Sequence, residues 1–389
     1  MDRAILCTLP SQRHLFDIPE DVAYFNVAGN SPQLNETRAR LRAGAESKSR
    51  PWERTADNFF EDAESLRILA AGLFGGDTDG YAVVPAASYG LSTAARALET
   101  RLSPRDRILV LGEAFPSNYL PWERAARERG AEIVTVPTPR QGGWTEAVLA
   151  RIDANVKAVA VPHCHWTDGA FVDLVAVGAA CRAVGAMLAV DATQSLGAMP
   201  LSIDEVQPDF LVAAGYKWLL SPYGFGLLYV APSWRDSRPL EEAWLARENA
   251  ENFAALVKYS PVYKPGARRF EMGEKCTTAL PGAIAALEQL SAWGVTNIAH
   301  SLNGINVRIA AQLESLGFGV PEAAARCPHM FGARLPMGFQ GNLVGALAAQ
   351  NIFISQRGDA MRFSPHLYVT DADIARLLAA LENAVRAGS

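Results

Sequence analysis

Two short stretches of the chain carry side chains able to do covalent chemistry together. Val190-Asp191-Ala192-Thr193-Gln194 closes one apolar run, and Gly215-Tyr216-Lys217-Trp218 follows the next, Phe210–Ala213. A lysine ammonium partly removed from water and set beside other cations loses its proton more easily and then attacks an aldehyde. A carboxylate at the end of a neighbouring strand holds a pyridine nitrogen in its protonated form, which makes the ring a stronger electron sink. Gln194, three residues after Asp191, is placed to donate a hydrogen bond to a ring oxygen. Singly, Asp191 reads as a strand-end cap and Lys217 as a surface lysine. Their ordered combination points to pyridoxal phosphate, bound to Lys217 as a Schiff base.

Such a ring needs a cradle for its phosphate and a surface to stack on. Pro85-Ala86-Ala87-Ser88-Tyr89-Gly90 joins an apolar strand to a helix expected over Leu91–Arg101. A small-residue turn entering a helix offers free N–H groups and the positive end of the helix dipole to a dianion. Ser88 adds a hydroxyl there, or serves as an ordinary N-cap. Neither GxGxxG nor GxxxxGK[ST] occurs, so a nucleotide is not expected. Phe115 follows the run Arg107–Leu111 and suits ring stacking, or the core. His163-Cys164-His165-Trp166 invites a zinc reading, but further ligands at sensible spacing are missing, and no metal is expected.

The elements that must position these residues are legible from periodicity. Apolar runs at Tyr81–Pro85, Arg107–Leu111, Glu132–Pro137, Ala158–Pro162, Ala186–Asp191, Phe210–Ala213 and Gly226–Val230 predict seven strands. Helical patterns at Leu91–Arg101, Leu120–Arg129, Trp144–Ile152 and Leu174–Val184 separate several of them. This is an α/β pattern: a mostly parallel sheet sandwiched by helices, with ligands beyond the carboxyl ends of its strands. From about residue 255 longer helices (Leu280–Trp293, Leu302–Leu316, Asp371–Arg386) mix with weaker strands at Phe331–Leu335 and Met361–Phe363. The expected division is therefore a large domain over 26–255 and a smaller α+β domain over 256–389, with 1–25 packing along the latter.

Composition excludes several partners. The chain of 389 residues is 49% hydrophobic with a formal net charge of −5, and its mixed charges offer no basic face for nucleic acid. Its apolar runs are strand-sized, too short for a bilayer. Met1–Cys7 lacks a secretory h-region, so the cytoplasm is expected. Five dispersed cysteines with no CxxC pair read as free thiols.

Asp191-x-x-Gln194, Gly215–Trp218 followed by Ser221-Pro222-Tyr223-Gly224-Phe225-Gly226, and Arg362-Phe363-Ser364-Pro365-His366-Leu367-Tyr368 together resemble the class V aminotransferase group of fold-type I pyridoxal-phosphate enzymes. That group includes cysteine desulfurases, kynureninases and isopenicillin-epimerase-like proteins, and the resemblance runs from Tyr24-Phe25-Asn26 to Asp373. It implies that Lys217 forms the internal aldimine and moves protons at the substrate α-carbon. It also implies that Asp191 faces the pyridinium and that Ser88, with Tyr89, holds the phosphate. His165 or Trp166 lies beside the phenolic oxygen, the register leaving the choice open. Tyr216 stands where desulfurase-like relatives tend to carry a phosphate-contacting His. Gly273-Glu274-Lys275-Cys276 departs from a Gly-Thr-Pro-Asn turn that many relatives donate across a homodimer, leaving Thr277 or Thr278 as its substitute.

An α-carboxylate calls for the planar fork of an arginine. Arg362, in an Arg-x-x-Pro segment, is the first candidate and Arg357 the second, with Asn26 expected at the same substrate site. No cysteine lies within Ser355–Arg362, where a desulfurase would carry its nucleophile. The expectation is therefore an aminotransferase acting on an amino acid. A lyase, a kynureninase-like hydrolase, an epimerase and a desulfurase are alternatives within the family, and a regulatory protein keeping the fold is the alternative outside catalysis.

Overall fold

The computed structural model describes residues 6–139 and 143–388, so Met1–Ile5, the start of the N-terminal segment, lie outside the described residues. A short strand β1 (Ala23–Tyr24) precedes helices α1 (Asn35–Ser47) and α2 (Glu61–Phe74), which lead to β2 (Tyr81–Val84) and α3 (Ala87–Glu99). Strands and helices then alternate through β3 (Arg107–Leu111), α4 (Leu120–Arg129), β4 (Glu132–Val136), α5 (Trp144–Leu149) and β5 (Val156–Pro162). The series continues with α6 (Leu174–Val184), β6 (Met187–Asp191), α7 (Ile203–Val206), β7 (Phe210–Ala214) and β8 (Gly226–Val230). Helices α8 (Leu280–Trp293) and α9 (Val295–Ser315) follow. The chain ends through β9 (Phe331–Arg334), α10 (Leu343–Ala348), β10 (Ile352–Phe353), β11 (Ser355–Arg357), β12 (Ala360–Phe363) and α11 (Asp371–Gly388).

Strands β2 to β8 form one sheet in the order β2-β8-β7-β6-β5-β3-β4. Neighbours run parallel except at β8, which is antiparallel to both β2 and β7. Both faces are buried, which is why the strands read as nearly unbroken apolar runs. Side-chain alternation feeds two cores. On β6, Leu188 and Val190 enter one core with residues of α2, α6 and α8, whereas Met187 and Ala189 enter the other with α3 and α4. Helix α6 shows how local sequence sets the boundaries. The Asp173 side chain accepts the N–H groups of Val175 and Ala176 at the start, and Gly185 closes the helix at φ 72, the left-handed conformation glycine adopts without penalty.

Beyond the large sheet, β9, β11 and β12 form an antiparallel three-stranded sheet in the order β11-β12-β9, and β1 pairs in parallel with β10. The N-terminal segment is tied to the C-terminal elements by Leu9 N–H to Ser301 Oγ at 2.9 Å and by Arg13 to Asp373 at 2.8 Å. Helix α8 packs against α1 and α2.

Two helices start earlier than the periodicity predicts. Helix α3 begins at Ala87, not Leu91, because the chain breaks at the extended Ala86 (φ −161, ψ 158); its first turn is small and polar and shows no apolar stripe. Helix α9 begins at Val295, not Leu302, because Gly294 at φ 76 ends α8 and starts the next helix at once. Strand β11 has no apolar alternation and is invisible in the sequence.

Candidate active site

The sheet's carboxyl edge assembles the charged groups. Asp191 ends β6, flanked in register by Pro162 of β5 and Val212 of β7. Two residues beyond Ala189, it stands on the α3 side of the sheet. Its carboxylate is 8% exposed, and Oδ1 accepts the Thr193 N–H at 3.0 Å. The Thr193 hydroxyl oxygen accepts the Ala214 N–H at 3.2 Å, tying this turn to the end of β7. Burial pushes the Asp191 carboxyl up from its ordinary value; the Thr193 hydroxyl and N–H and the Lys217 ammonium draw it back only in part. A carboxylate in that state is stabilised by a cation placed against it.

Lys217 follows β7 on a turn whose shape depends on Gly215. A Cβ at Gly215 would meet Phe225 Cδ1 at 2.5 Å and Phe225 O at 2.7 Å, so only glycine lets this turn lie against the start of β8. Trp218, fully buried, anchors the far side by donating its indole N–H to Gln194 Oε1 at 2.9 Å. The Lys217 side chain is thus held inside, 7% exposed, with Nζ 5.7 Å from the Phe115 ring centroid and 5.6 Å from that of Tyr216. Burial pushes its amine down to about 8; Asp191 opposes the change, and Arg362 and Arg357 add to it. The neutral, nucleophilic amine is therefore available near physiological pH.

Around Lys217 the structure gathers most of the remaining candidates. Phe115, 39% exposed, meets Trp166 edge-to-face at 5.4 Å. Arg362, 1% exposed, donates to Trp166 O at 2.6 Å and to Ser355 Oγ at 3.2 Å, Ser355 being its direct cross-strand neighbour on β11. Its Nη2 is buried and has no partner among the described residues, and the same holds for Asn26 Oδ1. Burial, then Arg357, lowers the Arg362 guanidinium to about 10, which leaves it charged at neutral pH. Arg357 lies with its guanidinium carbon 5.8 Å from the Trp166 ring centroid.

The phosphate cradle lies at the start of α3. Ser88 is exposed in the first turn and Tyr89 half-buried beside it. Burial, then Glu241, raises the Tyr89 phenol above its ordinary value. Ala86 supplies no side-chain cap, so the first-turn N–H groups point out unshielded. Gly90 lets the helix press onto the sheet, since a Cβ there would meet both Val212 methyls at 2.8 and 2.9 Å.

Three candidates are placed elsewhere or otherwise engaged. His165 is buried and stacked on Trp144 at 5.1 Å, with its ring nitrogens 3.1 Å from Gly112 O and 2.8 Å from Thr167 Oγ1. It turns into the core, and of the pair Trp166 stands beside Phe115. Gln194 spends its amide on the Trp218 indole and on Ala28 O at 3.0 Å, which leaves one amide hydrogen. Thr277 accepts from Arg54 Nη1 at 3.1 Å in a cleft shared with Arg50 and Asp62, apart from this chain's own Lys217, where a contact made across a dimer would also stand.

Sequence reasoning missed Thr193, Ser355 and Tyr223. The Thr193 N–H two residues after Asp191 is an Asx-type turn, a signal that was readable. Ser355 depends on hairpin register, set by a tight turn at Gly358 with φ 57. Tyr223, stacked on Tyr216 at 4.2 Å, lies in the Ser221–Gly226 motif, which did not by itself assign it a role.

The fold and this lysine–carboxylate–arginine constellation define a class of enzyme, and comparison with known proteins gives it a family. The family model for Aminotransferase class-V matches residues 34–385, and the chain belongs to that family of pyridoxal-phosphate-dependent enzymes. It is 26% identical over 316 residues to the uncharacterised aminotransferase YcbU of Bacillus subtilis (strain 168), covering 81% of each chain. It is 25% identical to a probable cysteine desulfurase of Pyrococcus abyssi, covering 77% of this chain and 75% of that one. Among solved structures it shares the fold of the apo cysteine desulfurase from Thermococcus onnurineus NA1. The TM-score there is 0.85 at 19% identity, over 98% of this chain and 99% of that one. The residues present suit the family's cofactor: a buried carboxylate lacking a full counter-charge, a lysine with a lowered pKa, and a helix start open to an anion.

Proposed function

We propose that the protein is an aminotransferase that takes an amino group from an amino acid, with Lys217 as its covalent cofactor-bearing residue and proton carrier. The observation that carries this reading is the buried Lys217 amine, lowered to about 8, within the ring of Asp191, Phe115 and Arg362. Bound pyridoxal phosphate supplies a reactive carbonyl and an electron sink for the substrate's α-carbon.

Asp191 holds the ring nitrogen protonated, because its carboxylate is buried and short of positive charge. The first-turn N–H groups of α3 with Ser88 and Tyr89 hold the phosphate, and Phe115 covers a ring face. Arg362 presents its free, buried Nη2 to the α-carboxylate, with Trp166 O and Ser355 Oγ locking the fork in place, and Asn26 lines the same pocket. With the cofactor bound, the Lys217 amine would be the base that takes the α-proton and the acid that gives it back. Tyr216 flanks that lysine, and the exposed Tyr223 stacks on Tyr216. Cys164, whose charge state Arg362 feels, is fully buried with its thiol well above the ordinary value, which disfavours it as a desulfurase nucleophile.

We further infer a homodimer, 26–255 as the cofactor-bearing domain and 256–389 as the smaller one, and a cytoplasmic protein without nucleic-acid or membrane partners. The exposed apolar run containing Val257 at 74% and Tyr259 at 85% supports a subunit contact. No helix among the described residues is long and apolar enough to cross a membrane, and the five cysteines are unpaired. The test is a panel of amino acids mixed one at a time with cofactor-loaded enzyme. Release of the matching keto acid with conversion of the cofactor to its pyridoxamine form supports transamination. Release of ammonia, or of sulfur from cysteine, with no pyridoxamine form would overturn it.

A further inference from the structure

The β11–β12 hairpin places two guanidinium groups on one face. Ser355 pairs directly with Arg362 and Arg357 with Ala360, so Arg357, two residues from Ser355, is the diagonal neighbour of Arg362 on the same face. Burial is the main cause of the lowered Arg362 and Lys217 values, and repulsion from Arg357 adds to it in both. Arg334, on the outer strand β9, bonds the Asp359 carboxylate at 2.9 Å. Arg357 forms no such pair among the described residues and donates to Gln356 O at 2.7 Å.

Both guanidinium groups lie against Trp166. Arg362 bonds its carbonyl oxygen at 2.6 Å, whereas Arg357 lies 5.8 Å from the centre of its indole. Arg357 lines a cleft of about 950 Å³ with Trp166 and Thr138; of its carboxylates, Asp359 is bound to Arg334 and Asp168 lies against His165, and Glu113 completes the set.

We infer that the substrate is an amino acid carrying a second carboxylate on its side chain, which Arg357 takes while Arg362 holds the α-carboxylate. This rests on the assignment of Arg362 and Lys217 above. The Trp166 indole beside Arg357 accepts the substrate's methylene chain. Arg357 is then the residue that separates acidic from neutral amino acids.

The experiment is calorimetric binding of unreactive acids to the cofactor-loaded enzyme, glutarate and adipate against butyrate and hexanoate, backed by absorbance titration with glutamate, α-aminoadipate, alanine and norvaline. In the wild type the dicarboxylates are expected to bind at least tenfold tighter than their monocarboxylate counterparts, the scale of one charge-assisted pair. Arg357→Gln should bring that ratio near one, and Arg357→Lys should restore part of it through charge alone. A wild-type ratio near one overturns the inference. So does an equal loss for both acid classes in Arg357→Gln, since Arg357 would then serve the α-carboxylate. If no amino acid of either class perturbs the cofactor absorbance of the wild type, the underlying functional reading fails instead. Circular dichroism of each variant separates these outcomes from misfolding.

Discussion

Lys217 is a poor residue for stability, and that makes it measurable without turnover. Its amine falls from an ordinary 10.5 to about 8 because folding removes it from water. At about 1.4 kcal/mol per tenfold change in proton affinity, keeping it protonated in the folded, cofactor-free protein costs on the order of 3 kcal/mol. The sign follows from linkage. Below pH 8 both folded and unfolded chains hold the proton and the full penalty stands. Between about 8 and 10.5 the folded chain releases the proton first and the penalty fades; above 10.5 it is gone. Lys217→Met keeps the side-chain volume and removes the charge. In the cofactor-free state this variant should be more stable than wild type at pH 7 by up to about 3 kcal/mol, several degrees in Tm. The advantage should shrink steadily as pH rises to 10. Thermal and urea unfolding of both proteins at pH 7, 8.5 and 10 supplies the test. A variant no more stable at pH 7, or a gap that does not change with pH, would refute the view that Lys217 is a buried base held for chemistry.

Other residues give sharper readouts of binding. Asp191→Asn removes the anion that favours a protonated ring, and a charged hydrogen bond of about 1.5–3 kcal/mol corresponds to cofactor affinity weakened roughly 10- to 150-fold, read by fluorescence titration of cofactor-free protein. Arg362→Lys keeps the charge but loses the fork; KM for the amino acid should rise about 30-fold or more, with kcat affected less. Gly90→Ala forces a methyl into Val212 at 2.8 Å. It should lift the start of α3 from the sheet, destabilise the protein by about 1–3 kcal/mol and weaken cofactor binding, whereas Gly72→Ala, with open space around it, should do neither.

The central sheet was legible because its strands are buried on both faces and stand out as apolar runs: Arg107–Leu111 and Gly226–Val230 keep their predicted bounds. Asp191 and Lys217 were legible for the same reason, since each follows a strand whose end is unmistakable. What failed to show depends on pairing across distance. The outcome for His165 against Trp166 is decided after β5 ends, where alternation no longer applies and Trp144, Gly112 and Thr167 compete for the imidazole. Strand β11 is a polar tripeptide, Ser355-Gln356-Arg357, that becomes a strand only because β12 lies beside it. Thr193 could have been found, because its N–H sits at the spacing where an aspartate side chain accepts it.

The central claim is tested most directly by borohydride reduction of the cofactor-loaded enzyme followed by peptide mass mapping. The account predicts one modified peptide, with the cofactor's mass on Lys217, and no covalent cofactor in Lys217→Ala, although that variant still folds. Modification at another lysine such as Lys275, or a protein that takes up no pyridoxal phosphate at all, would contradict it.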